Sequence, residues 1–309
     1  MLILMTYVSL YPYTGSGPMW KKDGMEVNYC KNSWWYNFLY INNFVSITDS
    51  EKQCMGWSWY LANDMQFFVI SPIIIVPLFY SKIAGMIIMA VFLLGTWITT
   101  GVISAHYELG PTLIAGGDFI DYFDKYYVRP YCRFGPYLVG MFTGYILYKT
   151  NCRCRINRYV NLLLWTISAG IAIAILYGLY EEVNGHPMSV NVAALYNTVH
   201  RTLWGACVCW VIFACATGNG GYVNTFLSWK AFIPLSRLTY CAYLVHPIVI
   251  YYYINTAQRL IHFTDLQVIY LFLPNICLSY AVAFVASLAF ESPMMGLEKV
   301  IFKRGEKRD

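Results

Sequence analysis

Formal charge is scarce in this sequence: only 12% of its 309 residues are Asp, Glu, Lys or Arg, against about a quarter in an average soluble domain. So little charge cannot cover a water-facing surface, and a soluble globular protein is excluded. A polar linker, an internal repeat and a low-complexity tract are also lacking, so a single membrane domain over residues 1–309 is expected. Gly-Xaa-Ser-Xaa-Gly, Walker, dinucleotide and His-Glu-Xaa-Xaa-His motifs do not occur, which leaves soluble hydrolase, ATPase and metalloprotease readings without support. There is no Asn-Xaa-Ser/Thr sequon. The opening stretch, Met1 to Tyr13, has neither the basic n-region nor the small-residue cleavage site of a signal peptide. It is apolar until Pro12, Gly15, Gly17 and Pro18 interrupt it, and reads as the second half of a helix.

What the chain has instead is long runs without formal charge. They extend from Met65 to Ser81, Ile83 to Tyr107, Phe134 to Tyr148, Tyr159 to Tyr180, Thr202 to Trp229, Leu238 to Gln258 and Leu266 to Phe290. About 20 apolar residues are needed for a helix to cross the hydrocarbon core. Phe134 to Tyr148 is short, but Arg133 and Lys149 at its ends can snorkel to the headgroups. With the opening half-helix, the expected fold is all-α, a polytopic transmembrane helix bundle of about eight spans.

Lys and Arg are retained in short cytoplasmic loops. Lys149, Arg153, Arg155 and Arg158 in one acid-free loop set that side as cytoplasmic, and alternation then puts Lys82, Lys230, Arg237 and a basic tail at 291–309 with them. Lys299, Lys303, Arg304, Lys307 and Arg308 carry the tail's charge. The opposite face receives Asp23, Glu26, Asp49, Glu51, Asp64, Glu108, Asp118, Asp121, Asp124, Glu181, Glu182 and Asp265. The net charge of +5 therefore reflects topology, a basic rim against anionic lipid, and no nucleic-acid partner is expected.

The outer loops 14–64 and 108–133 are rich in aromatics, among them Trp34, Trp35, Tyr36, Trp57, Trp59, Tyr122, Tyr126 and Tyr127. They read as an interfacial belt or as an outer cap that binds a lipid or acyl acceptor. Cys30 and Cys54 share one outer loop and can form a disulfide in an oxidising compartment. Cys152-Xaa-Cys154 has no second ligand pair, so no metal is expected. Gly140 and Gly144 form a step that lets another helix pack closely.

Ionisable groups inside a bilayer are costly and are functional-site hypotheses until a partner is found. His200-Arg201 lies between two uncharged stretches. Arg201 either binds an anionic acyl carrier and polarises its carbonyl, or forms a buried ion pair that fixes packing. His246, before Pro247, either accepts a proton as a general base or satisfies the carbonyl that the proline frees. Asp64 and Gln66 are placed on the first turn of a span, as a helix cap or a substrate-orienting carboxylate with Trp57 beside it. Arg237 either pairs with Glu291 or meets a nucleotide-bearing donor.

Five segments carry a resemblance. They are Tyr11-Pro-Tyr-Thr-Gly-Ser-Gly-Pro18, Trp34-Trp35 with Leu39-Tyr-Ile-Asn-Asn-Phe44, the run Cys54 to Phe67, the run Arg129 to Gly140, and the run Pro234 to Pro247. In this order they resemble the acyltransferase 3 family, and within it the animal "nose resistant to fluoxetine" type of O-acyltransferase-like proteins. The resemblance implies a bundle of about ten membrane helices that transfers an acyl group from acyl-CoA, as donor substrate, to a hydroxyl on a lipid, sugar or small molecule. Such chemistry requires a base and a group that holds the oxyanion. The family carries its proposed catalytic histidine in a first membrane helix and an arginine motif just before a third, and this chain is expected to start after both. A fragment or partial gene model is the expectation, with a natural inactive remnant as the alternative. The expected site residues are Arg201 and His246 as catalytic groups, with Asp64, Arg237, His200 and Trp57 binding substrate. The expected partners are membrane lipid, acyl donor and hydroxyl acceptor. The expected location is an endomembrane or the plasma membrane, with a cytoplasmic C-terminus. A non-enzymatic carrier of lipids or small hydrophobic molecules is the competing class.

Overall fold

The computed structural model describes residues 2–20, 27–46, 48, 53–113, 119–259 and 264–302. Among them every regular element is helical. Helices α1 (Leu2–Thr14) and α2 (Val27–Phe38) precede the long pair α3 (Trp59–Tyr80) and α4 (Lys82–His106). A single turn, α5 (Phe119–Asp121), leads to α6 (Phe134–Thr150), α7 (Arg158–Tyr177), the short α8 (Tyr180–Val183) and α9 (Val190–Ala216). Then follow α10 (Gly221–Leu227), α11 (Phe232–Thr256), α12 (Asp265–Ala286) and α13 (Ser292–Phe302). Lipid offers the backbone no hydrogen-bond partner, so apolar segments satisfy their own amides as helices.

Six stretches among the described residues are long and apolar enough to cross a membrane: Gly56–Tyr80, Lys82–His106, Arg158–Val183, Val190–Ala216, Phe232–Thr256 and Asp265–Phe302. The chain is an integral membrane protein. The reading of about eight spans also counted α1, with 13 residues, and α6, with 17. At about 1.5 Å per residue, neither fills a core about 30 Å thick by itself.

Helix ends follow local chemistry. The Ser81 side chain accepts from the Ala84 amide at the start of α4, and Thr264 does the same for Gln267 at the start of α12. The expected run Thr202–Trp229 is not one helix. Gly218 and Gly221 adopt left-handed conformations (φ 78° and 50°) and separate α9 from α10. α9 also starts at Val190, so His200 and Arg201 lie well inside a helix, not at its mouth.

The chain forms two compact units. The first comprises Met1–Phe38, Glu51–Ser58 and Trp229–Asp309. Here α11 packs along α12, and an aromatic ladder joins α1 to α11 through Tyr7 on Trp57 and Trp57 on Tyr251. Tyr11 on Trp20 and Trp20 on Tyr252 add a second rung. Cys30 and Cys54 form the disulfide. Asn37 donates to the Cys54 carbonyl at 2.6 Å and accepts from Ser58 at 2.7 Å, so α2 is fastened to the turn Gly56–Ser58.

The second unit comprises Leu39–Ser50 and Trp59–Ser228. Its axis is α9, which packs against α4, α6 and α7. The α6–α9 approach depends on two glycines: a Cβ on Gly135 would stand 2.3 Å from Thr202 Oγ1, and one on Gly205 would stand 3.0 Å from Pro136 Cβ. Gly140 and Gly144, the pair singled out from sequence, face open space. Phe67, Ile74, Leu78, Met89, Phe134 and Leu138 form the apolar core between α3, α4 and α6. The acids Asp23, Glu26, Asp49, Glu51 and Asp118 and the tail residues Lys303, Arg304, Lys307 and Arg308 lie outside the described residues.

Thr202 cannot rotate away from Gly135 without dropping the bond it accepts from Trp97 Nε1 at 3.2 Å. Gly135→Ala is therefore expected to cost about 1–3 kcal/mol. Gly140→Ala should stay within about 0.5 kcal/mol of the parent. Thermal unfolding in detergent checks both, and equal losses would contradict the packing described.

Candidate functional site

Arg201 lies well inside α9, where a guanidinium needs a protein-made environment. It stacks over the Tyr126 ring at 4.0 Å and near Tyr127 at 5.5 Å, and donates to the Cys132 carbonyl at 3.5 Å. A π-helical stretch, Tyr122–Tyr127, presents these rings. Tyr126 is fully buried and its hydroxyl donates to the Asn197 carbonyl, one turn before Arg201, at 2.9 Å. Burial raises its pKa, so the phenol stays neutral and remains a donor. Asn197 in turn donates to Ser104 Oγ at 2.8 Å and to the Gly110 carbonyl at 3.1 Å.

Arg133, at the start of α6, is a second cation beside the first. Its guanidinium lies 4.5 Å from the Trp59 ring and 4.5 Å from Tyr127, and its Nε donates to the Tyr127 carbonyl. Burial, and then the like charge of Arg201, lowers its pKa, and a guanidinium remains charged in proteins. Among the described residues no carboxylate lies within 4.0 Å of either guanidinium. Arg129, by contrast, pairs with Asp124 at 3.6 Å.

The two arginines line one cavity of about 510 Å³. Its polar wall is Asn63, Asp64, Arg133, His200 and Arg201; its apolar wall is Phe67, Pro136, Tyr137, Ile175, Leu176 and Trp204. Nδ1 of His200 faces the Tyr196 carbonyl at 2.8 Å, and the ring stacks on Tyr196 at 4.6 Å. That carbonyl fixes the proton on Nδ1, so Nε2 of a neutral ring is an acceptor. Asn63 is held from two sides, donating to the Val128 carbonyl at 3.0 Å and accepting from Asn43 at 2.6 Å. Gln66 bonds Asn43 and the Tyr40 carbonyl. A second cavity, of about 650 Å³, shares Phe67 and is lined chiefly by Ile41, Phe44, Ile70, Val91, Phe92 and Phe134.

Of the residues expected from sequence, Arg201, His200 and Asp64 meet at this cavity. Asp64 is not on the first turn of its helix, because α3 starts at Trp59, five residues earlier by number; the capping account therefore fails. Trp57, Arg237 and His246 belong to the first unit. Trp57 Nε1 donates to the Leu244 carbonyl at 3.3 Å, and Tyr243 donates its hydroxyl to the Trp57 carbonyl. Arg237 is exposed on α11 and does not pair with Glu291, which accepts from Ser287 at 2.8 Å and Cys241 at 3.3 Å. Nδ1 of His246 donates to the Tyr243 carbonyl at 2.8 Å, the acceptor that Pro247, lacking an N–H, leaves open. Sequence reasoning missed Arg133 and Asn63 as site residues. Both lie in the family-like segments, but Arg133 also borders a charge-free run, where an arginine reads as a snorkelling anchor.

The Acyl_transf_3 family, described as an acyltransferase domain, matches residues 1–291. The chain is 33% identical to Nose resistant to fluoxetine protein 6 of Caenorhabditis elegans over 97% of its own length and 38% of that protein. It is 27% identical to Regulator of hypoxia-inducible factor 1 of the same organism, over 81% of this chain and 52% of the relative. The chain thus spans between about a third and a half of the curated relatives it matches. No solved structure matches.

The His246–Tyr243 bond makes a structural prediction. His246→Ala is expected to cost about 1–2 kcal/mol by leaving a carbonyl unpaired, and much less in a Pro247→Ala background, where the new amide fills the gap. A double-mutant cycle read by thermal unfolding checks it; strictly additive losses would exclude this role.

Proposed function

Because the chain belongs to the acyltransferase 3 family, we propose that it is a membrane-bound O-acyltransferase moving an acyl group from acyl-CoA to a hydroxyl acceptor. Two guanidiniums and a histidine facing one cavity carry the reading. In the reaction the acceptor oxygen attacks the thioester carbonyl, a C–O bond forms and the C–S bond breaks. Coenzyme A leaves as the thiol, taking up the proton that the hydroxyl gives away. Negative charge develops on the carbonyl oxygen, and fixed cations aimed at it lower the barrier more in a dry site than in water. Arg201 suits this task because Tyr126 and Tyr127 hold it from behind. His200 presents Nε2 as a proton acceptor, and Asp64 orients the hydroxyl.

Arg237, exposed and without a hydrogen-bond or ion-pair partner among the described residues, suits the phosphates of the donor. The bond His246 makes to the backbone supports a helix-orienting role for it. By charge placement, Lys149 to Arg158 and the C-terminus face the cytoplasm, in an endomembrane or the plasma membrane. α6 carries Arg133 at one end and Lys149 near the other, about 25 Å apart along a helix. On that orientation the cavity lies toward the outer side, from which the acceptor approaches. A carrier of lipids or small hydrophobic molecules is the second reading, supported by the apolar cavity of about 650 Å³.

Arg201→Ala in the intact protein separates the two. Transfer of label from acyl-CoA is expected to fall about 100-fold or more while the protein still elutes as a single species. A parent protein that consumes no acyl-CoA with any hydroxyl acceptor, and whose Arg201→Ala variant alters only uptake of a hydrophobic substrate, would replace the enzyme reading with the carrier.

A further inference from the structure

Arg133 and Arg201 carry two positive charges into one cavity where, among the described residues, the lining offers a single carboxylate, the exposed Asp64. Rings and backbone carbonyls hold the guanidiniums in place, but neither kind of partner neutralises them. Like charges brought together away from water are costly, and the cost falls only when an anion stands between them. The oxyanion of acyl transfer exists only in the transition state and cannot do this in the resting protein. A lasting anion is needed, and it has to come with the ligand.

The rest of the cavity says what that ligand is attached to. One turn along the same helices the wall becomes hydrocarbon and aromatic: Pro136 and Tyr137 follow Arg133 on α6, Trp204 follows Arg201 on α9, and Ile175 and Leu176 join them from α7. Such a cavity has a charged end and an oily side. A guanidinium fork matches phosphate and carboxylate oxygens equally well, so the shared chemistry is an oxyanion.

We infer that this cavity binds a single-chain anionic amphiphile, its phosphate or carboxylate between Arg133 and Arg201 and its chain along Tyr137, Ile175, Leu176 and Trp204. Calling this amphiphile the hydroxyl-bearing acceptor rests on the acyltransferase reading; its binding does not. Asp64, repelled by the anionic end, is left to face the ligand's hydroxyl.

The experiment is binding to the intact protein in a neutral detergent, without acyl donor, read by the shift in melting temperature. The probes are oleoyl lysophosphatidate, oleate and the uncharged monooleoylglycerol. At least one anionic probe is expected to bind about tenfold or more tighter than the neutral one, and the order of lysophosphatidate and oleate names the headgroup. Arg133→Gln and Arg201→Gln should each erase the preference for charge. Arg133→Lys, which keeps the charge without the fork, should retain part of it and so separates lost binding from lost folding. Equal binding of all three probes, or an anion preference that survives both glutamine variants, would overturn the inference. Anion binding without acyl transfer would leave it standing and remove the enzyme reading, while transfer to neutral acceptors without anion preference would do the reverse.

Discussion

The contact on which the second unit depends is the Arg201 guanidinium lying over the Tyr126 ring, with the Tyr126 hydroxyl bonded back to the helix that carries Arg201. A cation in a membrane helix demands such an arrangement, and the arrangement organises its surroundings. The segment before α6 must fold inward to deliver Tyr126 and Tyr127, and it does so as a π-helical stretch. It then returns through Arg129, which is fixed by Asp124 and by the Asn43 carbonyl. The next turn sets down Arg133 and starts α6, close enough to α9 that only Gly135 fits beside Thr202. Cavity, packing and charge follow from one requirement.

The polar groups around this centre support it in layers. Asn197, Ser104 and the Gly110 carbonyl stand behind Tyr126, while Asn43, Asn63 and Gln66 tie the start of α3 to the loops at 40 and 128. Each of these hydrogen bonds is modest by itself, yet an unmade one in a low-dielectric interior is expensive. Groups so held keep one geometry. The first unit uses different means. Its disulfide and its aromatic ladder fasten α1 and α2 around the turn that carries Trp57.

Much of this was legible in the residues. Runs without formal charge locate α3, α4, α7 and α12 because hydrocarbon excludes charge, and Cys30 with Cys54 anticipated their bond. Arg201 stood out because cations are rare in such runs. The same rule misplaced the start of α9, since a charge held by aromatic rings can sit inside a helix that the rule ends there. Arg133 was misread for a related reason: an arginine beside a short apolar run looks the same whether it snorkels outward or turns inward, and only the position of Tyr127 and Trp59 decides. Charge alone leaves two alternatives open for Arg237, a pair with Glu291 or a nucleotide-bearing donor; Glu291 is satisfied locally by Ser287, one turn away. Glycine spacing at Gly140 and Gly144 recurs by chance; the close approach is made by Gly135 and Gly205, which form no motif.

Arg133 and Arg201 share one cavity and, among the described residues, no carboxylate compensates either guanidinium. The most direct test is an electron cryomicroscopy map of the intact protein in a lipid nanodisc, resolved well enough to place side chains around Arg133 and Arg201. Non-protein density bridging the two guanidiniums is expected, with Tyr126 stacked on Arg201. A carboxylate of the protein itself within about 4 Å of either arginine would contradict it, because the pair would then be neutralised from within.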